Sequence, residues 1–365
     1  MPSTNDKVTP NYALNADLSL PPIAPPPLPY RVREPQDRSR RIALVGCGGI
    51  SETHLQAYRA AGYDVPLLCS LRLANAERRR DQFYPQAAVT DRFEDVLARE
   101  DIQIVDLTPY PRDRLPLIEA ALRAGKHVLS QKPFVVDLES GRRLAAMADE
   151  KGVKLAVNQN GRWAPHFAYL RETVRAGLIG TVAAVRQSVH WDHSWIRSLP
   201  FNDIPQLILY DFAIHWFDFV VSVMGERAVR QLRASVARSP AQKAKPPMLA
   251  QVMIDYDDAQ VSLTFDADTP LGAEDRTFIA GTEGAARSVG PDLSHQTVTV
   301  YTRNGWFQPQ LEGSWFPGGF HGAMAELMCA IEENRLPLHN AWENLRVLDL
   351  CMRAVHEAFA ASGVR

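Results

Sequence analysis

The stretch Gly46-Cys47-Gly48-Gly49-Ile50-Ser51 constrains this chain more than any other. It follows a short apolar run, Ile42–Val45, and precedes a helix expected over Ser51–Ala61, which Gly62 closes. An apolar run ending in glycines reads as a buried strand, and a strand that turns on glycines into a helix is a dinucleotide-binding corner. Gly46 permits the tight turn, and Gly48 lets backbone approach a pyrophosphate seated on the positive end of the helix. Gly49 and Ile50 complete the loop, and Ser51 stands in the third glycine position.

The segments that follow repeat this alternation. Strands are expected at Val65–Cys69, Ile102–Leu107, His127–Leu129 and Lys154–Val157. Between them lie expected helices at Ala74–Phe83 (charged and exposed), Phe93–Arg99, Arg114–Ala124 and Leu138–Lys151. Strands and helices alternating at this spacing form βαβ units around a parallel sheet with both faces covered. Beyond about residue 160 the rhythm changes. Thr181–Trp191, Val229–Ala237, Ala250–Tyr256, Gln260–Asp266 and Thr277–Ala280 read as strands, with a hairpin at Asp257-Asp258. That pattern predicts a large open antiparallel sheet in an α+β domain, followed by a helix over Ala341–Ala361. The expected fold class is therefore α/β plus α+β. Residues 1–38 form a Pro-rich arm, 39–159 a Rossmann domain, and 160–365 a substrate-binding and oligomerisation domain. Prolines across Leu20–Pro29 dictate an extended polyproline conformation, either a free tail or an arm laid over a neighbouring subunit.

Composition excludes several classes of partner. The formal net charge is −2 with no block of like charges, so neither nucleic acid nor an anionic membrane is expected, and a small molecule is. The cysteines at 47, 69, 329 and 351 form no metal-binding spacing and point to a reducing, cytoplasmic compartment. The chain lacks a long apolar run and its amino terminus lacks the order of a secretory signal, which again predicts the cytoplasm.

The end of the second strand bears on the cofactor. NAD sites place an acidic residue there, whereas this chain has Ser70-Leu71-Arg72. Without a carboxylate to repel it, a 2′-phosphate can bond to Ser70 and Arg72, which mildly favours NADP over NAD. As a plain surface cation, Arg72 would favour neither.

Three further segments carry a family resemblance. Ala124-Gly125-Lys126-His127-Val128-Leu129-Ser130-Gln131-Lys132-Pro133 resembles the stretch ending in Glu-Lys-Pro of the Gfo/Idh/MocA sugar and polyol dehydrogenases. Tyr210-Asp211-Phe212-Ala213-Ile214-His215 is similar to their D-x-x-x-H helix, and Gly281-Thr282-Glu283-Gly284 to a turn in their second sheet. The resemblance implies an NAD(P)-dependent oxidoreductase acting on a carbohydrate or polyol, with Lys132, Asp211 and His215 catalytic. It places Thr108, Pro109, Gln131, Lys132 and Asn160 beside the cofactor, with Arg162, His193, Trp195, Asp211 and His215 around the substrate. Elementary chemistry agrees for the catalytic three. Asp211 and His215, four apart, share one face of a helix, where the carboxylate can orient the imidazole. A lysine at the carboxyl end of a parallel strand points into the crevice where such sheets bind ligands. His190-Trp191-Asp192-His193-Ser194-Trp195 mixes aromatic and polar groups in the way a sugar site requires. No metal is expected, since the family uses none, and His321 reads as an ordinary loop histidine.

The chain also departs from that family. Gln131 replaces a glutamate, and Thr108-Pro109-Tyr110-Pro111 lacks the usual asparagine. Ile204-Pro205-Gln206 stands where glycines often precede the D-x-x-x-H helix. Two other functions fit the same frame: a redox-neutral isomerase, oxidoreductase or glycosidase that retains its cofactor, and a non-catalytic dinucleotide sensor. A homodimer or homotetramer through the second sheet is expected, because an open sheet needs a cover.

Overall fold

The computed structural model describes residues 20–362. Two sheets organise it. The first contains β1 (Arg41–Val45), β2 (Asp64–Cys69), β3 (Ala88–Thr90), β4 (Ile104–Leu107), β5 (His127–Gln131) and β6 (Leu155–Asn158). All pairs are parallel, in the order β3-β2-β1-β4-β5-β6. Helices α1 (Ser51–Ala61), α2 (Leu73–Phe83), α3 (Phe93–Ala98), α4 (Pro111–Arg123) and α5 (Leu138–Glu150) connect these strands. β4 and β6 are buried at every residue, apolar but for Asp106 and Asn158, as strands covered on both faces must be. The order reverses between β1 and β4, so the crevice beyond their carboxyl ends is the binding position of such a sheet.

The second sheet contains eight strands: β7 (Val182–His190), β8 (Gln231–Ala237), β9 (Leu249–Asp255), β10 (Gln260–Asp266), β11 (Glu274–Gly281), β12 (Gly284–Gly290), β13 (Thr297–Thr302) and β14 (Gly305–Phe307). β9 and β10 alternate buried and accessible residues, as a sheet with one covered face must. The expected hairpin between them closes by the Tyr256 N–H to the Ala259 carbonyl at 2.9 Å. The sheet is not wholly antiparallel, because β7 and β10 pair in parallel. After β7 the chain passes through helix α7 (Ile214–Met224) to β8 at the edge, and returns through β9 to β10, which lies beside β7. That crossover lays α7 on the inner face, where Trp216 meets Phe265 edge-on at 5.5 Å. Burying Phe265 contributes roughly 1.5–3 kcal/mol relative to exposure.

The chain then returns to the first sheet. Helix α8 (Gly318–Glu332) packs Phe320, Met324, Leu327 and Met328 into the cluster formed by Ile42, Leu44, Leu55 and Tyr58. Helix α9 (Ala341–Ser362) sets Trp342 Nε1 on Asp149 of α5 at 2.8 Å and begins beside β6. Residues after the second sheet thus serve both halves, a division the sequence pattern did not predict.

Residues 20–38 lie along their own chain; the remainder of the expected arm falls outside the described residues. Ile23 N–H bonds the Trp306 carbonyl at 2.9 Å, Tyr30 packs on Tyr169, and Glu34 reaches Tyr63 and His321. Among the described residues no helix is long and apolar enough to cross a membrane.

Candidate active site

The glycine corner is built for close backbone approach on one side only. Gly46 has φ +95°, and a Cβ there would meet Thr108 Oγ1 and Pro109 Cδ at 2.8 Å. At Gly48 and Gly49 a Cβ meets nothing within 4 Å, so the loop's open side can receive a pyrophosphate against the α1 terminus. Ile50 is exposed at the same edge. Ser51 bonds the Gly48 carbonyl at 2.6 Å instead of simply marking a missing glycine. Beneath it lies Arg79, buried on a helix expected to be wholly exposed. It donates to Ser51 Oγ (3.3 Å), the Gly48 carbonyl (3.2 Å) and Glu52 (2.7 Å). Ser70 is buried at the end of β2, whereas Arg72 is exposed: its carbonyl accepts the Asn75 N–H at 2.8 Å, and its guanidinium makes no hydrogen bond or ion pair among the described residues. These features fit a dinucleotide.

Lys132 extends from the end of β5. Its ammonium donates to the Asp211 carboxylate at 3.1 Å and the Asp211 carbonyl at 3.0 Å. Arg114, fully buried, ties this corner to the neighbouring loop by donating to the carbonyls of both Pro109 and Pro133. Burial pushes its guanidinium down to about 9. Nothing in the local sequence pattern of α4 pointed to this clamp.

Asp211 and His215 do not share a regular helix. Ile208–Phe212 forms a π-turn, in which Ala213 N–H reaches back five residues to Ile208. α7 begins only at Ile214, so the extra residue rotates the Asp211 carboxylate towards Lys132 and leaves no hydrogen bond to His215. The expected orientation of the imidazole by Asp211 is thus replaced by a lysine–aspartate pair. His215 Nδ1 is buried without a partner in the structure, against Trp315 at 5.3 Å. Burial, reinforced by the Lys132 cation, holds its imidazole well below 6.5.

Aromatic groups line the adjoining wall. His193 stacks on Trp191 at 5.3 Å and accepts from Trp195 Nε1 at 3.2 Å. Burial pushes His193 down to about 4, opposed by Asp211 and assisted by Lys132. Trp195, 54% exposed, continues through Phe201 to Tyr110. Burial and the Asp211 charge push the Tyr110 hydroxyl up. Tyr110 and Phe201 escaped the sequence reading, although Tyr110 stands where the family pattern has asparagine.

Two anticipated residues, Arg162 and Asn160, point elsewhere. Arg162 is buried against Asp218, with Nε–Oδ2 at 2.8 Å and Nη2–Oδ1 at 2.8 Å, and also holds the Leu338 carbonyl. Its donors are committed to tying α7 to the segment before α9, and the structure gives it no face on the substrate cleft. Asn160 Oδ1 accepts from Trp315 Nε1 at 2.6 Å, so its side chain braces the wall of the cleft. His321, in the first turn of α8, pairs with Glu34 at 2.6 Å. Gln131 and Lys132 stand at the end of β5, one strand beyond β4, which leads into Thr108-Pro109 at the switch point.

The matches to known families span both halves. Residues 40–159 match an oxidoreductase family with an NAD-binding Rossmann fold, and residues 167–287 match the GFO/IDH/MocA C-terminal domain. This chain belongs to the GFO/IDH/MocA oxidoreductase family. D-apiose dehydrogenase of Paraburkholderia graminis is 30% identical over 208 residues, covering 54% of this chain and 52% of that protein. Inositol 2-dehydrogenase 4 of Saccharopolyspora erythraea is 25% identical over 344 residues, covering 90% and 96%. The chain spans only about half the length of several of its curated relatives, as with the apiose enzyme. An Agrobacterium radiobacter oxidoreductase, solved with NAD+, L-tartaric acid and magnesium, shares the fold with a TM-score of 0.79. It is 20% identical over 89% of this chain and 97% of that one.

Proposed function

We propose that this member of the family is an NAD(P)-dependent dehydrogenase acting on a secondary alcohol of a sugar, sugar acid or cyclitol. The observation that carries this is the Lys132–Asp211 pair at the switch-point crevice, with the unpartnered His215 imidazole on the next helix. The Lys132 ammonium commits two of its three donors to Asp211 and keeps one for a substrate oxygen. Its charge lowers the alcohol's pKa and stabilises the developing alkoxide. His215, held neutral by burial and by Lys132, accepts the hydroxyl proton. Asp211 fixes the lysine and balances its charge. Gly46, Gly48 and Gly49 would hold the cofactor's pyrophosphate, with Thr108 and Pro109 beside its nicotinamide, and the bound cofactor would supply the hydride acceptor. Trp195, Phe201 and Tyr110 offer the apolar surface that a sugar's ring face requires. The test is substrate-dependent reduction of NAD+ or NADP+ by the purified chain.

The exposed Arg72 guanidinium, without a protein partner among the described residues and two residues from Ser70, supports a preference for NADP+. Arg72→Ala is then expected to weaken NADP+ binding roughly tenfold and leave NAD+ binding unchanged; equal effects on both rule the preference out. The accessible face of the second sheet, with Met253 55% and Phe278 37% exposed, supports assembly into a dimer or tetramer. Light scattering on the purified chain distinguishes these from a monomer. Four buried free thiols accord with a cytoplasmic setting.

A further inference from the structure

Five polar side chains form a buried network beneath the Lys132 corner that hydride transfer itself does not use. His54 and Tyr58 come from α1, Asp106 from β4, Gln131 from β5 and Asn158 from β6, and none is more than 5% exposed. His54 Nδ1 lies 2.7 Å from Asp106 Oδ2, which also accepts from the Tyr58 hydroxyl at 2.7 Å. On the opposite ring edge, Nε2 stands 3.2 Å from the amide nitrogens of Gln131 and Asn158. The Gln131 amide cannot turn over, because its Oε1 accepts the Lys132 backbone N–H at 2.6 Å. Its NH2 group therefore donates to His54, Nε2 is the acceptor, and the ring proton sits on Nδ1 against Asp106. Phe320 of α8 caps the imidazole edge-on at 4.9 Å, and the Arg114 guanidinium is the nearby cation that senses Asp106.

We propose that Gln131 is a positioning residue which, oriented by His54 and Asp106, sets the attitude of Lys132 in the cleft. This rests on Lys132 being the group that binds the substrate oxygen. The buried network carries one carboxylate, at Asp106, and the strand end beside Lys132 is uncharged. A carboxylate at position 131 would face the His54 lone pair and force the ring to take a second proton or turn, disturbing the side chain that accepts the Lys132 N–H. Moving the charge from position 106 to position 131 instead reverses the network. The imidazole proton then sits on Nε2 and bonds the new carboxylate, the new amide donates to Nδ1, and Asn158 turns its oxygen to the ring to keep its contact.

The test compares wild type, Gln131→Glu, Asp106→Asn and the double variant. Each is read by nitrogen NMR of the His54 ring, assigned by its loss in His54→Gln, and by kcat, KM and cofactor affinity. Expected are a proton on Nδ1 in the wild type and a fall in kcat of about 10–100-fold in Gln131→Glu, with KM and cofactor affinity retained. In the double variant most of kcat returns and the proton moves to Nε2. A wild-type proton on Nε2, an unchanged kcat in Gln131→Glu, or a double variant no better than Gln131→Glu overturns the proposal. Should Gln131→Glu not fold, Gln131→Met must show the same fall in kcat, and full kcat there overturns it. A wild type that turns over no alcohol defeats the role of Lys132 instead, while the ring tautomer still reports on the network.

Discussion

Lys132 and Asp211 come from different halves of the molecule, and their side chains meet at 3.1 Å across the crevice. Each is about one-fifth exposed, so the pair is shielded enough to matter and open enough to meet a ligand. The contact exists because the π-turn before α7 turns the carboxylate towards the end of β5. Asp211→Asn, which keeps the shape and removes the charge, is expected to lower kcat by roughly 100–1000-fold. Cofactor affinity, followed by fluorescence titration, should be unaffected.

His215 is the proton acceptor in this account. His215→Ala should lose about 100–10,000-fold in kcat with cofactor affinity retained. A base works only when unprotonated, and burial beside Lys132 holds this imidazole well below 6.5. Wild-type kcat should therefore stay level as pH falls through 6.5 and decline only on the acid side of it. A pH–rate profile that already halves above that value would point to another base.

Arg162 is expected to behave as a stability residue. Removing it leaves the Asp218 carboxylate buried and unpaired, at a cost of about 3–5 kcal/mol. Urea unfolding of Arg162→Ala measures that loss. A raised KM with undiminished stability would restore Arg162 to the substrate site.

Asp275 supplies a pH signature of the second sheet. Burial pushes its carboxyl up from 3.8 to about 7, although the Trp216 indole opposes this, and His166 stands 4.0 Å away. The folded chain then holds a proton that the unfolded chain releases near 3.8, so this contribution to stability is full below 3.8 and lost as pH rises to about 7. Asp275→Asn should flatten that slope in thermal unfolding measured across the same window. An unaltered slope would show that the carboxyl titrates normally.

The glycine corner and the buried strands were legible because their signals are local. Ile42–Val45 lies within β1, and Gln260–Asp266 coincides with β10. Helix α8 went unread because it is buried nearly all round with little polar stripe to set a period, and α6 (Pro165–Arg175) because even its polar His166, Arg171 and Thr173 are buried. The π-turn has no sequence signal, since packing of the segment before α7 decides it. Arg79 was read as surface because arginine usually is. Its place beside buried Ala76, on one face of α2, was the available clue. The Lys132 corner was found by resemblance, while its supports, Arg114 and His54, belong to long-range contacts that no local pattern carries.

The most direct test is absorbance at the reduced-nicotinamide band with the purified chain, NAD+ or NADP+, and a panel of sugars, sugar acids and cyclitols. Lys132→Ala serves as the blank. The account predicts substrate-dependent reduction by the wild type that is lost in the blank. Equal reduction by Lys132→Ala, or no reduction by a wild type that binds the cofactor, would contradict it.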